Sequence, residues 1–221
     1  MKRPIDFVLA LIALVVLSPV LFATSILVRI FIGSPAVYMQ KRPGKDEKIF
    51  TLYKFRTMND KRDENGELLP DGKRLTKLGR ILRSTSLDEL PQLINILKGD
   101  LSIVGPRPQL IKDMVFMSVT QRKRHMVRQG LTGLAQVNGR NDITWEEKFD
   151  YDLQYIRNIT FFGDIKIILL TAKKVFEREG INSAGSATCE DFGDYLLNRK
   201  KIDKDEYLRK TEESKLIENS L

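Results

Sequence analysis

The sequence predicts an α+β protein that is mostly helical, with a small β-hairpin or sheet, an N-terminal re-entrant membrane helix-break-helix and interfacial amphipathic helices. Three observations lead to this prediction. An almost wholly apolar stretch opens the chain at residues 7–32. Two short runs of strand-forming residues, 37–40 and 49–58, lie on either side of a Pro-Gly turn. From residue 75 onwards, apolar residues recur at helical spacing in several separate segments.

The length and charge of the chain limit the kinds of protein that it can be. Its 221 residues are enough for one hydrophobic core, and a second large domain is not expected. The formal net charge of +8 predicts anionic partners such as phosphates, nucleotides, nucleic acid or an acidic membrane surface. The single cysteine, Cys189, can form no intramolecular disulfide and no zinc cluster, which is typical of a reducing compartment.

The apolar stretch is long enough to cross a bilayer, whose core takes about 20 helical residues. A cleaved signal peptide is one alternative, because Ser34, Pro35 and Ala36 imitate a cleavage site. The stretch is too long for the apolar part of a signal peptide, however, and Arg29 interrupts its end. A membrane helix is therefore the better interpretation.

Whether this helix crosses the membrane or turns back depends on its middle and its ends. Pro19 lies at the middle, where proline removes a backbone hydrogen bond and kinks a helix. Basic residues flank both ends, so the positive-inside rule places both ends in the cytoplasm. These residues are Lys2, Arg3, Arg29, Lys41, Arg42 and Lys45. A kinked spanning helix is the alternative, but these features favour a re-entrant hairpin formed by residues 1–35.

The rest of the chain is predicted to form a cytoplasmic domain, residues 36–185, and a charged C-terminal tail, residues 186–221, that is helical or disordered. Residues 60–72 are charged and contain turn-forming dipeptides, which indicates a loop. Helical spacing of apolar residues predicts one helix at about residues 75–82 and another at about residues 164–179.

The helix predicted at residues 164–179 has an apolar stripe of the kind that usually faces a protein core. The stripe consists of Ile165, Ile168, Leu169, Ala172, Val175 and Phe176. Phe161, Phe162 and the flanking lysines would also suit a helix that lies at the bilayer interface.

Lys54 and Arg56 lie on the second predicted strand and share one of its faces, because side chains alternate along a strand. A solvated strand end would explain two basic residues at this position. An anion site near the membrane surface is the functional alternative.

Residues 86–93, Ser-Leu-Asp-Glu-Leu-Pro-Gln-Leu, place two adjacent carboxylates at a predicted helix start. Proline is tolerated only in the first turn of a helix, so Asp88 is predicted to begin a helix that runs to about Leu97 and ends at Gly99. The helix start and nearby arginines predict an ionised Asp88. The predicted buried stripe is Leu90, Leu93, Ile94 and Leu97. Helix capping alone would explain Asp88, and a catalytic Asp88-Glu89 pair is the alternative.

Two prolines bracket Arg107 in residues 105–108, Gly-Pro-Arg-Pro, and restrict the backbone on both sides. A guanidinium fixed in this way offers a planar fork of donors that suits a phosphate, although a rigid surface turn would also explain the motif. Arg140 follows Asn138-Gly139, a tight-turn signal, and could face a ligand. A further basic cluster lies on a predicted helix, where a solvated face is the usual explanation, and its single histidine suits a structural role as well as a functional one. The cluster consists of Arg122, Lys123, Arg124, His125 and Arg128.

Six segments of the chain together resemble one known family, the bacterial sugar transferases or monotopic phosphoglycosyl transferases. They are residues 53–58 (Tyr-Lys-Phe-Arg-Thr-Met), 86–93, 98–100 (Lys-Gly-Asp), 105–108, 133–136 (Gly-Leu-Ala-Gln) and 138–141 (Asn-Gly-Arg-Asn). The resemblance covers about residues 1–185, including the broken membrane helix. Gln129 is a departure, because the family usually has proline before the glycine at this turn.

The resemblance implies a reaction in which a phosphosugar passes from a UDP-sugar to polyprenol phosphate, with release of UMP, as the first membrane step of surface glycan assembly. It implies that residues 36–185 are the catalytic domain, that Asp88 forms a covalent phosphosugar intermediate, that Glu89 is its catalytic partner and that Mg²⁺ is required. The enzyme would be monotopic in the cytoplasmic membrane, with its catalytic domain facing the cytoplasm. Membrane lipids are expected partners, nucleic acid is not, and a homodimer is left open.

The chemistry of the residues agrees with these implied roles. A carboxylate can attack phosphorus, provided that cations neutralise the diphosphate, and an Asp88-Glu89 pair can ligate magnesium. Adjacent helical residues point about 100° apart, so one carboxylate attacks while the other binds metal, orients its neighbour or acts as a base. The residues expected to contact substrate are Lys54, Arg56, Arg83, Pro106, Arg107, Pro108 and Arg140.

Two alternatives to a transferase are considered. A membrane-anchored protein that binds polyanions without catalysis would explain the charge and the anchor, but not an Asp-Glu pair between arginines. A phosphohydrolase would use the same aspartate with water as the acceptor. No Walker A loop and no Gly-x-Gly-x-x-Gly motif after a strand is present in the sequence.

Overall fold

The computed structural model describes residues 2–139, 143–177 and 190–221. The two N-terminal helices are α1 (Lys2–Val16) and α2 (Ser18–Phe31). The helices that follow in the first half of the chain are α3 (Asp71–Arg74), α4 (Lys77–Ser84), α5 (Gln92–Lys98), α6 (Ile111–Met114) and α7 (Val119–Arg122). The remaining helices are α8 (Leu134–Asn138), α9 (Trp145–Arg157), α10 (Phe161–Glu177), α11 (Phe192–Asn198) and α12 (Lys204–Asn219).

Two small sheets accompany these helices, so the predicted α+β class is confirmed. Strands β1 (Val37–Pro43) and β2 (Ile49–Phe55) form an antiparallel hairpin, as the sequence predicts, with slightly different ends. Strands β3 (Leu101–Val104) and β4 (Gln129–Thr132) form a parallel pair that the sequence analysis does not anticipate. The parallel pair brings the Gly-Pro-Arg-Pro segment, which follows β3, next to the segment around β4.

Helices α1 and α2 are bent by 63° relative to each other, with Pro19 in the first turn of α2. Of the described helices, none alone is both long and apolar enough to cross a bilayer. The bent pair α1–α2 together has the length and the apolar composition that crossing would need. The start of α1 is attached to the rest of the protein. Arg3 donates to the carbonyl oxygens of Ile96 and Leu97, and Asp6 accepts a 2.6 Å hydrogen bond from the Ser102 hydroxyl.

The predicted helix at Asp88 begins later than expected. A 3₁₀ turn at Leu87–Glu89 comes first, and α5 begins only at Gln92, because Pro91 has no N–H and fits the junction between the two. Asp88 therefore caps no helix. The buried face of α5 is also different, since Ile96 and Asn95 are fully buried while Ile94 is exposed.

Two further predictions about helices need correction. The basic cluster is not a solvated helix face, because Arg124 and His125 are buried in a 3₁₀ turn at Lys123–Met126. Helix α10 begins at Phe161 and turns Ile167 towards the core, whereas Leu169 of the predicted stripe is exposed. The predicted end of this helix, at about residue 179, lies outside the described residues.

The C-terminal residues 190–221 are largely helical rather than disordered. Phe192 and Tyr195 of α11 are buried against Phe116, Trp145 and Phe149. A second cluster joins Ala10 of α1 to α5 and to strands β2 and β3, where its other buried members are Leu52, Leu93, Ile96 and Leu101. This cluster thus packs α1 against α5, the helix that follows the Asp88 turn.

Candidate active site

The carboxylates of Asp88 and Glu89 are placed by the 3₁₀ turn that precedes α5. Ser86 enters this turn with a left-handed backbone (φ 56°), and the Glu89 N–H donates to the Ser86 carbonyl at 3.2 Å. Asp88 is only 8% exposed. Within the described residues its carboxylate accepts no hydrogen bond, which leaves both oxygens available to a ligand.

Glu89 is held by two cations from different parts of the fold. Nη2 of Arg107 lies 2.6 Å from Oε1 of Glu89, and Nζ of Lys54 lies 3.1 Å from the same oxygen. Lys54 comes from β2 and Arg107 from the loop after β3. The two ion pairs therefore join the hairpin and the loop at the Asp88 turn.

The same surroundings shift the two carboxyl pKa values in opposite directions. Burial would raise the pKa of Glu89, but Arg107 and Lys54 outweigh burial and hold it well below its usual range. Burial and the neighbouring Glu89 charge raise the pKa of Asp88 to about 6, against the pull of Lys54, Arg107 and Arg83. The direction of the Asp88 shift is therefore opposite to the one that a helix start and nearby arginines would give, because both of these lower a carboxyl pKa.

The loop at residues 105–108 lies on strand β4 at very close range. A Cβ atom on Gly105 would come within 2.5 Å of the Arg128 carbonyl oxygen, so only glycine fits at this position. The Gly130 N–H donates to the Pro106 carbonyl at 2.8 Å. The predicted rigidity of this loop thus comes from the neighbouring strand as well as from its two prolines.

The other predicted substrate residues are distributed unevenly around the site. Arg83, at the end of α4, donates from Nε to the Thr57 hydroxyl at 3.1 Å and acts electrostatically on Asp88. Arg56 instead pairs with Asp60 in the charged loop at 2.8 Å, so the structure does not bring it to Glu89. Arg140 lies outside the described residues.

Sequence reasoning missed three residues that build this site. Arg42 donates to the Pro108 carbonyl, and Arg124 donates to the Arg107 carbonyl. The fully buried Asn95 joins α5 to β2, through bonds with the Tyr53 N–H and the Thr51 carbonyl. No local sequence signal singles out these residues, because each of the contacts depends on tertiary packing.

A magnesium ion is compatible with the oxygen donors at this site. Across the described parts of the chain, no group of three or more His, Cys, Asp or Glu side chains could hold a metal ion. Magnesium, however, is usually held by one or two carboxylates together with substrate phosphates. The Asp88 oxygens and Oε2 of Glu89 fit that pattern, since none of them is engaged by a described residue.

Comparison with known proteins places the chain in a family. The family model for bacterial sugar transferases matches residues 1–178. The chain is 51% identical over 192 residues to the sugar transferase EpsL of Bacillus subtilis (strain 168), covering 87% of this chain and 95% of EpsL.

Longer relatives match as well, and the chain spans about two fifths of their length. It is 40% identical to the UDP-glucose:undecaprenyl-phosphate glucose-1-phosphate transferase of Escherichia coli (strain K12), over 80% of this chain and 40% of that protein. It is 38% identical to the undecaprenyl-phosphate galactose phosphotransferase of Salmonella typhimurium, over 81% of this chain and 41% of that protein. The chain is thus an enzyme that belongs to the bacterial sugar transferases.

Proposed function

We propose that the protein transfers a phosphosugar from a UDP-sugar to polyprenol phosphate, undecaprenyl phosphate being the expected acceptor, through a covalent intermediate on Asp88. The observation that carries this proposal is the Asp88 carboxylate, buried and without a hydrogen bond from any described residue, beside a Glu89 that two cations hold in place. The names of the Escherichia coli and Salmonella relatives, which include undecaprenyl phosphate and a sugar phosphate, support the substrate class.

In the first step, an oxygen of Asp88 attacks the phosphorus that carries the sugar. The new bond joins this oxygen to phosphorus, and the bond from phosphorus to the bridging diphosphate oxygen breaks, with its electron pair leaving on UMP. In the second step, a phosphate oxygen of the lipid attacks the same phosphorus, and Asp88 leaves as a carboxylate. Dividing the transfer in this way replaces one difficult displacement by two easier ones.

The cations around Glu89 give this step its electrostatic support. Arg107 is 43% exposed, and its Nε and Nη1 donate to no other described residue, so they can meet phosphate oxygens. Lys54 and Arg83 add further positive charge that acts on Asp88. A bound Mg²⁺, held by Asp88, Glu89 and the substrate phosphates, would neutralise further oxygen charge.

Of the three roles expected of Glu89, its low pKa argues against that of a base. A carboxylate whose pKa lies well below its usual range is a weak base at neutral pH. Glu89 is therefore proposed to orient Lys54 and Arg107 and to offer its second oxygen to the metal, and not to deprotonate the acceptor.

The polyanion-binding alternative is set aside, because members of this family are enzymes. A phosphohydrolase that uses the same aspartate stays open, since water could replace the lipid in the second step. The identity of the acceptor decides between transfer and hydrolysis.

We expect the purified protein to release UMP from one or more UDP-sugars in a Mg²⁺-dependent reaction that requires polyprenol phosphate. The assay is UMP release from a panel of UDP-sugars, with and without polyprenol phosphate, together with chromatography of the lipid product. Equal UMP release in the absence of the lipid, with free sugar phosphate as product, would indicate a hydrolase instead.

We further propose that α1 and α2 form a re-entrant hairpin in the cytoplasmic leaflet. The start of α1 is attached to α5 and β3, while α2 leads within a few residues into β1 of the same domain. A straight span would place these two ends on opposite sides of the membrane. Both helices carry exposed large apolar residues that a bilayer would cover, and Phe162 of α10, 81% exposed, is a further candidate for membrane contact.

Single cysteines at Lys2 and Lys45, in a Cys189→Ala background, test this topology. Both sites are expected to resist an impermeant thiol reagent in intact cells and to react once the membrane is permeabilised, because both ends lie in the cytoplasm. Labelling of only the Lys2 site from outside would show a true span and contradict the hairpin.

A further inference from the structure

The backbone of the Arg107 loop is held by hydrogen bonds to three consecutive carbonyl groups. The Pro106 carbonyl accepts from the Gly130 N–H at 2.8 Å. The Arg107 carbonyl accepts from Nη2 of Arg124 at 2.6 Å, and the Pro108 carbonyl accepts from Nη1 of Arg42 at 3.2 Å. Proline lacks an N–H, so Pro106 and Pro108 cannot donate backbone hydrogen bonds. The loop backbone is instead fixed by the hydrogen bonds that its three carbonyl groups accept.

Arg124 is an unusual residue for such a bond, because its side chain is completely buried. It is 0% exposed, and its partner Asp152 on α9 is 3% exposed. Nε and Nη2 of Arg124 both donate to one oxygen of Asp152, at 2.9 and 2.7 Å, and Nη2 also reaches the loop. A buried ion pair of this kind is weak evidence for stability, since desolvation offsets most of its attraction.

Arg42 contacts the loop from strand β1, whereas Arg124 contacts it from the 3₁₀ turn at Lys123–Met126. Nη2 of Arg42 donates to Oε1 of Gln40 at 2.7 Å, which orients the guanidinium towards Pro108. Both arginines already have protein acceptors, so their position suits the support of the loop better than direct contact with a substrate.

We propose that Arg124, held by Asp152, and Arg42, held by Gln40, are positioning residues that fix the Arg107 guanidinium between Glu89 and the substrate diphosphate. This inference rests on the proposed function of Arg107. The Arg107 side chain is partly exposed, and a single described residue, Glu89, accepts from it, so its placement depends on the backbone that carries it. A shift of about 1 Å in a group of this kind can cost roughly 10²-fold in rate.

A double-mutant cycle tests whether Arg124 acts through Arg107. Arg124→Lys keeps the charge, but its compact ammonium cannot reproduce the fork that joins Asp152 to the loop carbonyl. We expect kcat to fall roughly 30-fold in the wild-type background and less than about 3-fold further in an Arg107→Lys background, because the guanidinium fork whose orientation depends on the loop is already absent there. KM for the UDP-sugar should change less than kcat.

Arg122→Lys is the matched control. Arg122 lies two positions away and pairs with Glu47, away from the loop. We expect Arg122→Lys to leave kcat unchanged in both backgrounds, which separates a loss at Arg124 from a general effect of altering this basic cluster.

The cycle has an outcome that overturns the proposal. Equal fold-losses in both backgrounds would show that Arg124 acts independently of Arg107. If Arg124→Lys does not fold, Arg42→Gln takes its place in the same cycle, because Arg42 lies nearer the surface and sits on a hairpin. If the wild type releases UMP normally but the two substitutions lower kcat by the same factor in both backgrounds, the positioning role is rejected. The proposed function is not affected by that result.

Discussion

Asp88→Asn is expected to lower turnover by roughly 10⁴-fold or more, an effect of the size seen when a catalytic nucleophile is removed. Asparagine keeps the size of the side chain but has no anionic oxygen to attack phosphorus. Asp88 caps no helix in this structure, so the substitution removes no cap. The measurement is UMP release and lipid-product formation under single-turnover and steady-state conditions.

The same substitution is expected to stabilise the folded protein above neutral pH. The folded-state pKa of Asp88 is about 6, above the 3.8 of an unperturbed aspartate, so ionisation of Asp88 favours the unfolded chain. The stability of the wild type thus falls, relative to Asp88→Asn, as the pH rises from about 4 through 6. Two pKa units correspond to about 3 kcal/mol at most. Chemical denaturation of both proteins at pH 4.5 and pH 8, without metal, measures this difference.

Detection of the proposed covalent intermediate would be the decisive test of the role of Asp88. Wild-type enzyme incubated with UDP-sugar and Mg²⁺, without lipid, should release about one UMP per enzyme and gain the mass of a sugar phosphate on Asp88. Glu89→Gln should slow turnover and still permit this adduct. Lipid product without any adduct, or normal turnover by Asp88→Asn, would favour direct attack of the lipid phosphate on the UDP-sugar, with the two carboxylates serving as a magnesium site.

The parts of the fold that sequence predicts well are those whose signals are local. The apolar stretch with Pro19 predicts a broken helix, and the Pro-Gly turn at residues 43–44 predicts the β1–β2 hairpin. The parallel pair β3–β4 joins strands of four residues each across an intervening segment of 24 residues, 105–128. Strands so short and so far apart carry no periodic pattern that could identify their pairing.

The residues of the candidate site likewise differ in whether local sequence signals predict them. Local motifs single out Asp88, Glu89 and Arg107, because adjacent carboxylates and a proline-bracketed arginine are visible in the sequence. Lys54 and Arg107 both contact one oxygen of Glu89, and this arrangement depends on tertiary structure that local motifs do not reveal. The burial of Arg124 is another such arrangement, and it reverses the sequence interpretation, because a run of basic residues usually lies in solvent.

The direction of the Asp88 pKa shift also depends on tertiary structure. Sequence reasoning counts the nearby arginines and a helix start, both of which stabilise a carboxylate. In the structure, Asp88 lies in a buried 3₁₀ turn, and its neighbour Glu89 takes the two close ion pairs. Burial and repulsion from Glu89 then decide the shift.

Arg107→Lys is expected to lower kcat/KM by roughly 10²-fold while the protein stays folded, which corresponds to the loss of one or two charge-assisted hydrogen bonds. Lysine keeps the positive charge near Glu89 but has no planar fork. It can pair with Oε1 of Glu89 or meet a phosphate oxygen, whereas arginine can use Nη2 for Glu89 and its remaining nitrogens for the diphosphate. The measurement is kcat/KM for the UDP-sugar, with circular dichroism to confirm folding.

Arg74→Lys is the control for this prediction, because Arg74 is also partly buried and ion-paired, but with Asp60 and Asp71 instead of Glu89. We expect its kcat/KM to stay within about 2-fold of the wild type, since surface ion pairs of this kind contribute little. An Arg107→Lys enzyme with near-normal turnover would reduce Arg107 to a structural turn residue. The diphosphate would then have to be neutralised by Lys54, Arg83 and the metal, and the proposed positioning of Arg107 by Arg124 would fail with it.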